Sequence, residues 1–216
     1  MLTNPILWHM RLNRDGVLAA LSALADQWEE LTPTDETLTL VVCGGSALQV
    51  LGLVEARTTR DVDVLALATS VIENGNASLT LLTSEPLPQK LVEAAERVAR
   101  DFTLPANWLN SGPTDLLTEG LPDGFSSRLH PQHFGATGRL TILFADRVDQ
   151  ICLKMYAAVN GGGTRHLTDL RALHPTDEEL LFAALWTITQ DAADFFPELV
   201  RDFLRQVGYG NVADRF

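Results

Sequence analysis

The chain has 216 residues, of which 46% are hydrophobic and 20% charged, and its formal net charge is −12. That balance supplies one sizeable core and excludes general disorder, and no apolar run is long enough to span a bilayer. The acidity works against non-specific nucleic-acid binding, which depends on neutralising phosphates, so contact with RNA would require a local basic patch.

Met1 to Arg14 mixes Trp8, His9, Arg11 and Arg14 with short apolar pieces. It lacks the unbroken apolar stretch and cleavage site of a signal peptide, so a cytoplasmic location is expected. Residues 16–30 carry apolar side chains at helical spacing and predict a first helix. Thr37 to Cys43 (TLTLVVC) reads as a buried strand. Gly44 and Gly45 follow at once. Ser46, with Gln49 three residues later, matches a capping box and predicts a second helix from about Ala47.

Arg60 to Leu67 (RDVDVLAL) reads as a second strand. Residues 68–87, with Asn74-Gly75-Asn76 and Pro86, are expected to form a turn or irregular segment. Pro88 to Phe102 predicts an amphipathic helix with Leu91, Ala94, Ala95 and Val98 inward. Residues 103–138 are rich in Gly, Pro, Asn and Ser, and read as an ordered but irregular excursion anchored by Trp108 and Phe125. Arg139 to Phe144 (RLTILF) predicts a third strand.

Asp146 then caps a helix running to about Val159. Its apolar face is Val148, Ile151, Cys152, Met155, Tyr156 and Val159, and Lys154 lies off that stripe. Gly161-Gly162-Gly163 breaks the helix, and a short helix carries His166 to Leu173. Thr176 with Glu179 is a capping box opening a helix to about Gln190, and Phe196 to Val207 forms the last helix. The fold class is α/β (α+β): a small mixed sheet flanked by helices, with a helical C-terminal third. Residues 1–145 form the α/β core, and residues 146–216 form a helical part packed on it as one compact unit.

The two cysteines, Cys43 and Cys152, sit in apolar runs and read as buried free thiols. His130 and His133 form an H-x-x-H pair beside Pro131, in a loop without evident partners, and this spacing is weak as a metal signal. Fourteen arginines stand against two lysines, Lys90 and Lys154. A lysine retained in such a chain draws notice, because a compact ammonium is not interchangeable with a guanidinium.

Three features carry chemistry, in order along the chain. Asp61 and Asp63 are two apart on a strand, so both project from one face while Val62 and Val64 face the core. Paired carboxylates repel unless a cation lies between them, and Mg²⁺ binds through one or two carboxylates plus substrate phosphates. Gly44 and Gly45 join a strand to a helix N-terminus, a place where a phosphate can approach the backbone. Lys154 follows on a later helix.

The stretch LVVCGGSALQVLGLVEARTTRDVDVLAL resembles the core pattern of the nucleotidyltransferase superfamily, which includes DNA polymerase β and kanamycin nucleotidyltransferase. Arg57-Thr58-Thr59-Arg60-Asp61-Val62-Asp63 is similar to the R-x-T-x-D-[IV]-D phrase of a bacterial branch. That branch contains the AbiEii-type toxin nucleotidyltransferases and uncharacterised relatives. Leu104 to Asn110 resembles an L-P-x-x-W-[LI]-N segment of those relatives. Lys154 and Asp169-Leu170 resemble the downstream K and D-L of the same branch. The resemblance runs from about Val41 to Leu173.

The resemblance implies roles for these residues. Gly44, Gly45 and Ser46 hold the triphosphate, with Arg60 beside them. Asp61 and Asp63 hold Mg²⁺ (or Mn²⁺), Lys154 contacts phosphate, and Asp169 orients Lys154 or assists the acceptor. The implied activity is Mg-dependent transfer of NMP from an NTP to an acceptor, which is RNA, protein or a small molecule. A toxin-like setting would add a cognate antitoxin as partner. Arg57, Arg60, Arg147 and Arg165 are the basic residues available for an RNA acceptor. One departure stands out: polymerase-like members carry a third carboxylate on a later strand, and Arg139 to Phe144 has none. Asp146 and Asp149 lie near but are expected to serve the helix N-terminus. The alternative is therefore a catalytically inactive nucleotide-binding or protein-interaction module of a toxin–antitoxin-like system.

Overall fold

The computed structural model describes residues 11–55, 57–73 and 76–216. Helix α1 (Arg14–Leu31) is capped by the Asn13 side chain, which accepts from the Gly16 N–H at 2.9 Å. Strand β1 (Leu38–Cys43) leads directly into helix α2 (Gly44–Val50). Strands β2 (Val62–Glu73) and β3 (Asn76–Thr83) pair antiparallel from Ala66↔Thr83 to Glu73↔Asn76. Residues 68–87, expected to be irregular, are thus mostly a hairpin. The alternation of polar and apolar residues in NASLTL, with the β-branched residues of TSVI before it, is the strand signal that the asparagines and glycine obscured. The turn expected at Asn74-Gly75-Asn76 falls on residues 74 and 75, outside the described residues.

Helix α3 (Gln89–Phe102) buries Leu91, Ala94, Ala95 and Val98, the predicted inward face. The following excursion is ordered, as expected, but more regular than its composition suggests. It contains strand β4 (Leu109–Asn110), a 3-10 turn at Gly112–Asp115, helices α4 (Leu116–Glu119) and α5 (Phe125–Arg128), and strand β5 (His130–Phe134). Trp108 and Phe125 are buried anchors, as expected. Strand β6 (Leu140–Phe144) pairs antiparallel with β5 and parallel with β1.

The sheet runs β3-β2-β1-β6-β5, and β4 pairs with the start of β2. β5 is an edge strand, which is where Pro131 can be tolerated. Within it, His130 and His133 are three apart and point to opposite faces. His130 Nε2 meets Asp146 Oδ2 at 2.7 Å, and His133 Nδ1 meets Thr141 Oγ1 at 2.9 Å. The H-x-x-H pair therefore sits on a strand, not in a loop, and its members serve separate neighbours.

Helix α6 (Arg147–Val159) is capped by Asp146, which accepts from the Val148 N–H at 2.9 Å. Helices α7 (Thr164–Ala172), α8 (Asp177–Ile188), α9 (Phe196–Val207) and α10 (Gly210–Ala213) complete the chain. The Thr176–Glu179 capping box is formed from both sides. α1 and α3 cover one face of the sheet with Val17, Leu21, Leu24, Trp28, Leu91 and Val98. α6, α8, α9 and α10 cover the other with Ile151, Met155, Leu180, Ala184, Val200 and Val212. The architecture is thus a mixed sheet flanked by helices, with a helical C-terminal part.

Candidate functional site

The two faces of β2 are sorted by alternation. Val62 and Val64 are buried in the α1/α3 core, so Asp61 and Asp63 turn toward the α6/α7 side. The pairing of β1 with β2 shifts register between Val41 and Val42, which leaves Leu65 as the extra residue of a bulge. Leu65 and Ala66 consequently both join the α6-side core. The shifted register sets Asp63 beside Cys43, next to the strand end that carries the glycines.

Gly44 is required there twice over. Its φ is +70°, a region that disfavours side chains, and a Cβ would overlap the Asp63 carboxylate. Gly45 is required by its neighbours: a Cβ would come within 2.8 Å of both the Arg57 guanidinium and Thr59 Oγ1. α2 starts at Gly44, three residues earlier than expected, and Ser46 is not its cap. The Ser46 hydroxyl is fully buried and donates to the Cys43 carbonyl at 3.3 Å. Gln49 closes no capping box either. Its Nε2 donates to the carbonyls of Leu12 at 3.1 Å and Arg57 at 2.7 Å, stapling the loop before Asp61 to the chain that enters α1. Backbone bonds between Leu12 and Thr59, at 2.8 and 2.9 Å, hold the same junction.

Each carboxylate has a distinct setting. Asp61 Oδ1 accepts from Thr59 Oγ1 at 3.1 Å. Asp63 Oδ1 accepts from Asn110 Nδ2 at 3.2 Å. Burial first, and then the neighbouring Asp61, push the Asp63 carboxyl above the ordinary carboxylate value. Two carboxylates side by side define a place where positive charge is favoured.

The cations come from three separate elements. Lys154 on α6 is 5% exposed although it lies off the apolar stripe, because α6 is packed against α2, α7 and α8. Its ammonium lies 3.0 Å from Asp169 Oδ2 on α7. The other Asp169 oxygen pairs with Arg57, from the loop after α2. Asp169 is thus buried between two cations. It pairs with neither Arg165 nor Arg171. Burial, then the Arg57 guanidinium, pull Lys154 down to about 8. The other lysine, Lys90, is exposed beside Glu93.

His166, which the sequence did not single out, stands next to this cluster. Arg165 Nε donates to His166 Nε2 at 3.3 Å, while His166 Nδ1 is buried without a hydrogen-bond partner. Burial, followed by Lys154, Arg165 and Arg57, lowers the imidazole to about 4. It is therefore neutral at physiological pH.

Two adjoining cavities of about 720 and 380 Å³ share Asp61 and Arg165 in their walls. Asp63, Gly44, Asn110, Lys154 and His166 line the smaller, while Arg11, Arg57, Arg60 and Asp169 line the larger. Among the predicted site residues, Gly45 and Ser46 lie behind Gly44 and line neither. Arg147 is elsewhere: it pairs with Glu179 and donates to the Leu173 and His174 carbonyls at 2.6 and 3.1 Å. Asp146 caps α6, as expected, and Asp149 is buried against Arg128 at 2.6 Å. β6 carries no carboxylate. Both cysteines are buried free thiols.

The strand–glycine–helix turn packed against the D-x-D strand is the part of the chain that resembles the nucleotidyltransferase class. A family model narrows this: the one described as "nucleotidyltransferase of unknown function" (DUF6036) matches residues 19–161. The chain belongs to that family. The matched stretch contains Gly44, Asp61, Asp63, Asn110 and Lys154, and ends before Arg165, His166 and Asp169. No curated protein and no solved structure matches the chain. Among the described residues, no helix is long and apolar enough to cross a membrane.

Proposed function

We propose that the protein transfers NMP from an NTP to an acceptor hydroxyl, with Asp61 and Asp63 as the metal-holding pair. The observation that carries this reading is the meeting, in one cleft, of two adjacent carboxylates with Lys154, Arg57 and Arg165. Burial first, and then Lys154, Arg165 and Arg57, lower the His166 imidazole, and the three cations around the cleft suit a polyanionic ligand such as a triphosphate. A hard divalent cation fits the donors. Two carboxylates supply oxygen, and the described residues offer no cluster of three or more His, Cys, Asp or Glu groups that would suit a closed protein site. Mg²⁺ or Mn²⁺ completing its shell from phosphates and water is the matching chemistry.

When bound, the metal ion would neutralise phosphate charge and favour ionisation of the acceptor hydroxyl. Gly44 leaves room for the Asp63 carboxylate, which fills the space a side chain would take, and so keeps that carboxylate at the strand end the phosphates would approach. Lys154 and Arg165 face the phosphate charge that grows as the acceptor oxygen bonds to the α-phosphorus and the bond to the β-phosphate oxygen breaks. Pyrophosphate is the leaving group, and the hydroxyl proton passes to solvent. Asp169, held between Arg57 and Lys154, orients these cations and does not act as a base. Nucleotidyl transfer of this kind relies on positioning and charge neutralisation more than on a strong base. The absence of a carboxylate on β6 is therefore compatible with turnover.

The larger cavity, with Arg11, Arg57, Arg60 and Arg165 in its wall, is the side from which an acceptor would reach Asp61. RNA, protein and small-molecule acceptors remain the candidates, with a toxin-like role and a cognate antitoxin as the biological setting proposed. Radiolabelled NTP with total RNA, or with cell protein, tests the activity. Label transfer by the wild type and its loss in Asp63→Ala is the expected result. Transfer that persists in Asp63→Ala would remove the assignment.

A further inference from the structure

Asp63 stands beside a side chain to which the nucleotidyl-transfer reading gives no role. Strand β4 is only Leu109–Asn110, yet it is held from both sides. Trp108, just before it, is fully buried, and its indole N–H donates to the Ala95 carbonyl of α3 at 2.9 Å. The Trp108 carbonyl accepts the Val62 N–H at 2.5 Å. The parallel register then sets Leu109 beside Val62 and Asn110 beside Asp63. Leu109 enters the α1/α3 core with Val62, so Asn110 shares the opposite face with Asp63.

The Asn110 amide is fixed in one sense. Its Oδ1 accepts the Gly112 N–H at 3.0 Å, and its Nδ2 donates to Asp63 Oδ1 at 3.2 Å. Flipping the amide would set oxygen against carboxylate oxygen and nitrogen against the Gly112 N–H, exchanging two bonds for two repulsions. The other Asp63 oxygen presses on the bare face of Gly44. The carboxylate is thus gripped between an amide donor and a backbone surface.

We infer that Asn110 is a positioning residue that fixes the plane of the Asp63 carboxylate for a divalent cation. This rests on Asp61 and Asp63 being the metal-holding pair. An amide suits the place because it donates to Asp63 without adding a third negative charge beside two carboxylates that already repel. Partners that hold a ligating carboxylate from behind set its orientation and, through that, the metal affinity. β4 thus contributes to the site from the β2 edge, on the side away from β6.

Titrating Mn²⁺ into the full chain while reading free Mn²⁺ by electron paramagnetic resonance tests this. The proteins are wild type, Asn110→Ala, Asn110→Leu and Asp63→Asn. The Leu variant keeps the branched outline of Asn without its polar atoms, so the readout survives if Ala loosens β4. Wild type is expected to show a site that Asp63→Asn removes. Both Asn110 variants should bind about tenfold or more weakly, with metal-free thermal midpoints close to wild type. A folded Asn110 variant binding within about twofold of wild type would overturn the inference and leave the metal pair standing, since that is well below the usual effect of losing such a partner. A wild type without a Mn²⁺ site, or a site indifferent to Asp63→Asn, would overturn the metal pair and the inference with it.

Discussion

Gly44 and Asp63 occupy one space: the side chain that Gly44 lacks would overlap the carboxylate of Asp63. The strand end, the helix start and the acidic strand are therefore a single packing unit, and the glycine of the turn belongs to the carboxylate site as much as to the backbone.

Gly44→Ala should cost about 1–3 kcal/mol, from a positive φ and the collision with Asp63. Part of that cost should vanish when the carboxylate is removed. A denaturant double-mutant cycle of Gly44→Ala with Asp63→Ala is expected to give a coupling energy of about 0.5–3 kcal/mol. Strict additivity would show that the overlap is relieved elsewhere.

Asp169 balances two cations in a place with little solvent, and its removal should be worse than removal of either cation. Asp169→Ala strands Lys154 and Arg57 together, and a cost of about 3–5 kcal/mol is expected. Lys154→Met leaves Asp169 still paired with Arg57, so it should destabilise less while abolishing transfer. Urea midpoints of the two variants check the order. Lys154→Met as the more damaging change would mean that the Arg57 contact does not hold Asp169.

His166 gives the fold an acid sensitivity of known sign. Its folded value, about 4, lies below the unfolded 6.5, so the unfolded chain takes up the proton first. The stability contribution is complete above pH 6.5 and is lost as pH falls toward 4. Asp63 runs the other way, since its raised value means that protonation on acidification favours the folded state. Comparing thermal midpoints of wild type and His166→Gln across pH 4 to 7 cancels the carboxylates and leaves the histidine. The wild type should lose stability faster than the variant on acidification. Parallel curves would show that the imidazole is not shielded from protonation.

Much of the framework was legible in the chain. Apolar alternation and helical spacing marked β1, α3, α6 and α9, and the caps Asp146 and Thr176 were read correctly because capping is a local interaction. Other elements were hidden for physical reasons. β5 carries Pro131 and two histidines, an edge-strand composition that reads as loop. The two-residue β4 has no period of its own and exists only through its pairing with Val62 and Asp63. Ser46 and Gln49 have the spacing of a cap, but tertiary acceptors claimed both side chains: Cys43 for one, Leu12 and Arg57 for the other. In the candidate site, pattern and resemblance pointed to Asp61, Asp63, Lys154 and Asp169, which line the two cavities. The ion pair from Arg57 to Asp169, the neutral His166 and the Asn110 amide arise from long-range packing, on which sequence spacing carries no information.

The central claim is that nucleotide and metal meet at Asp61 and Asp63, and thermal unfolding with each NTP, with and without Mg²⁺, tests it most directly. Ligand at 100 times its dissociation constant should stabilise the wild type by about 2.7 kcal/mol. The expected result is an Mg²⁺-dependent rise in the wild-type midpoint that is absent in Asp61→Asn/Asp63→Asn. A rise of equal size in the double variant, or none with any NTP, would contradict the account.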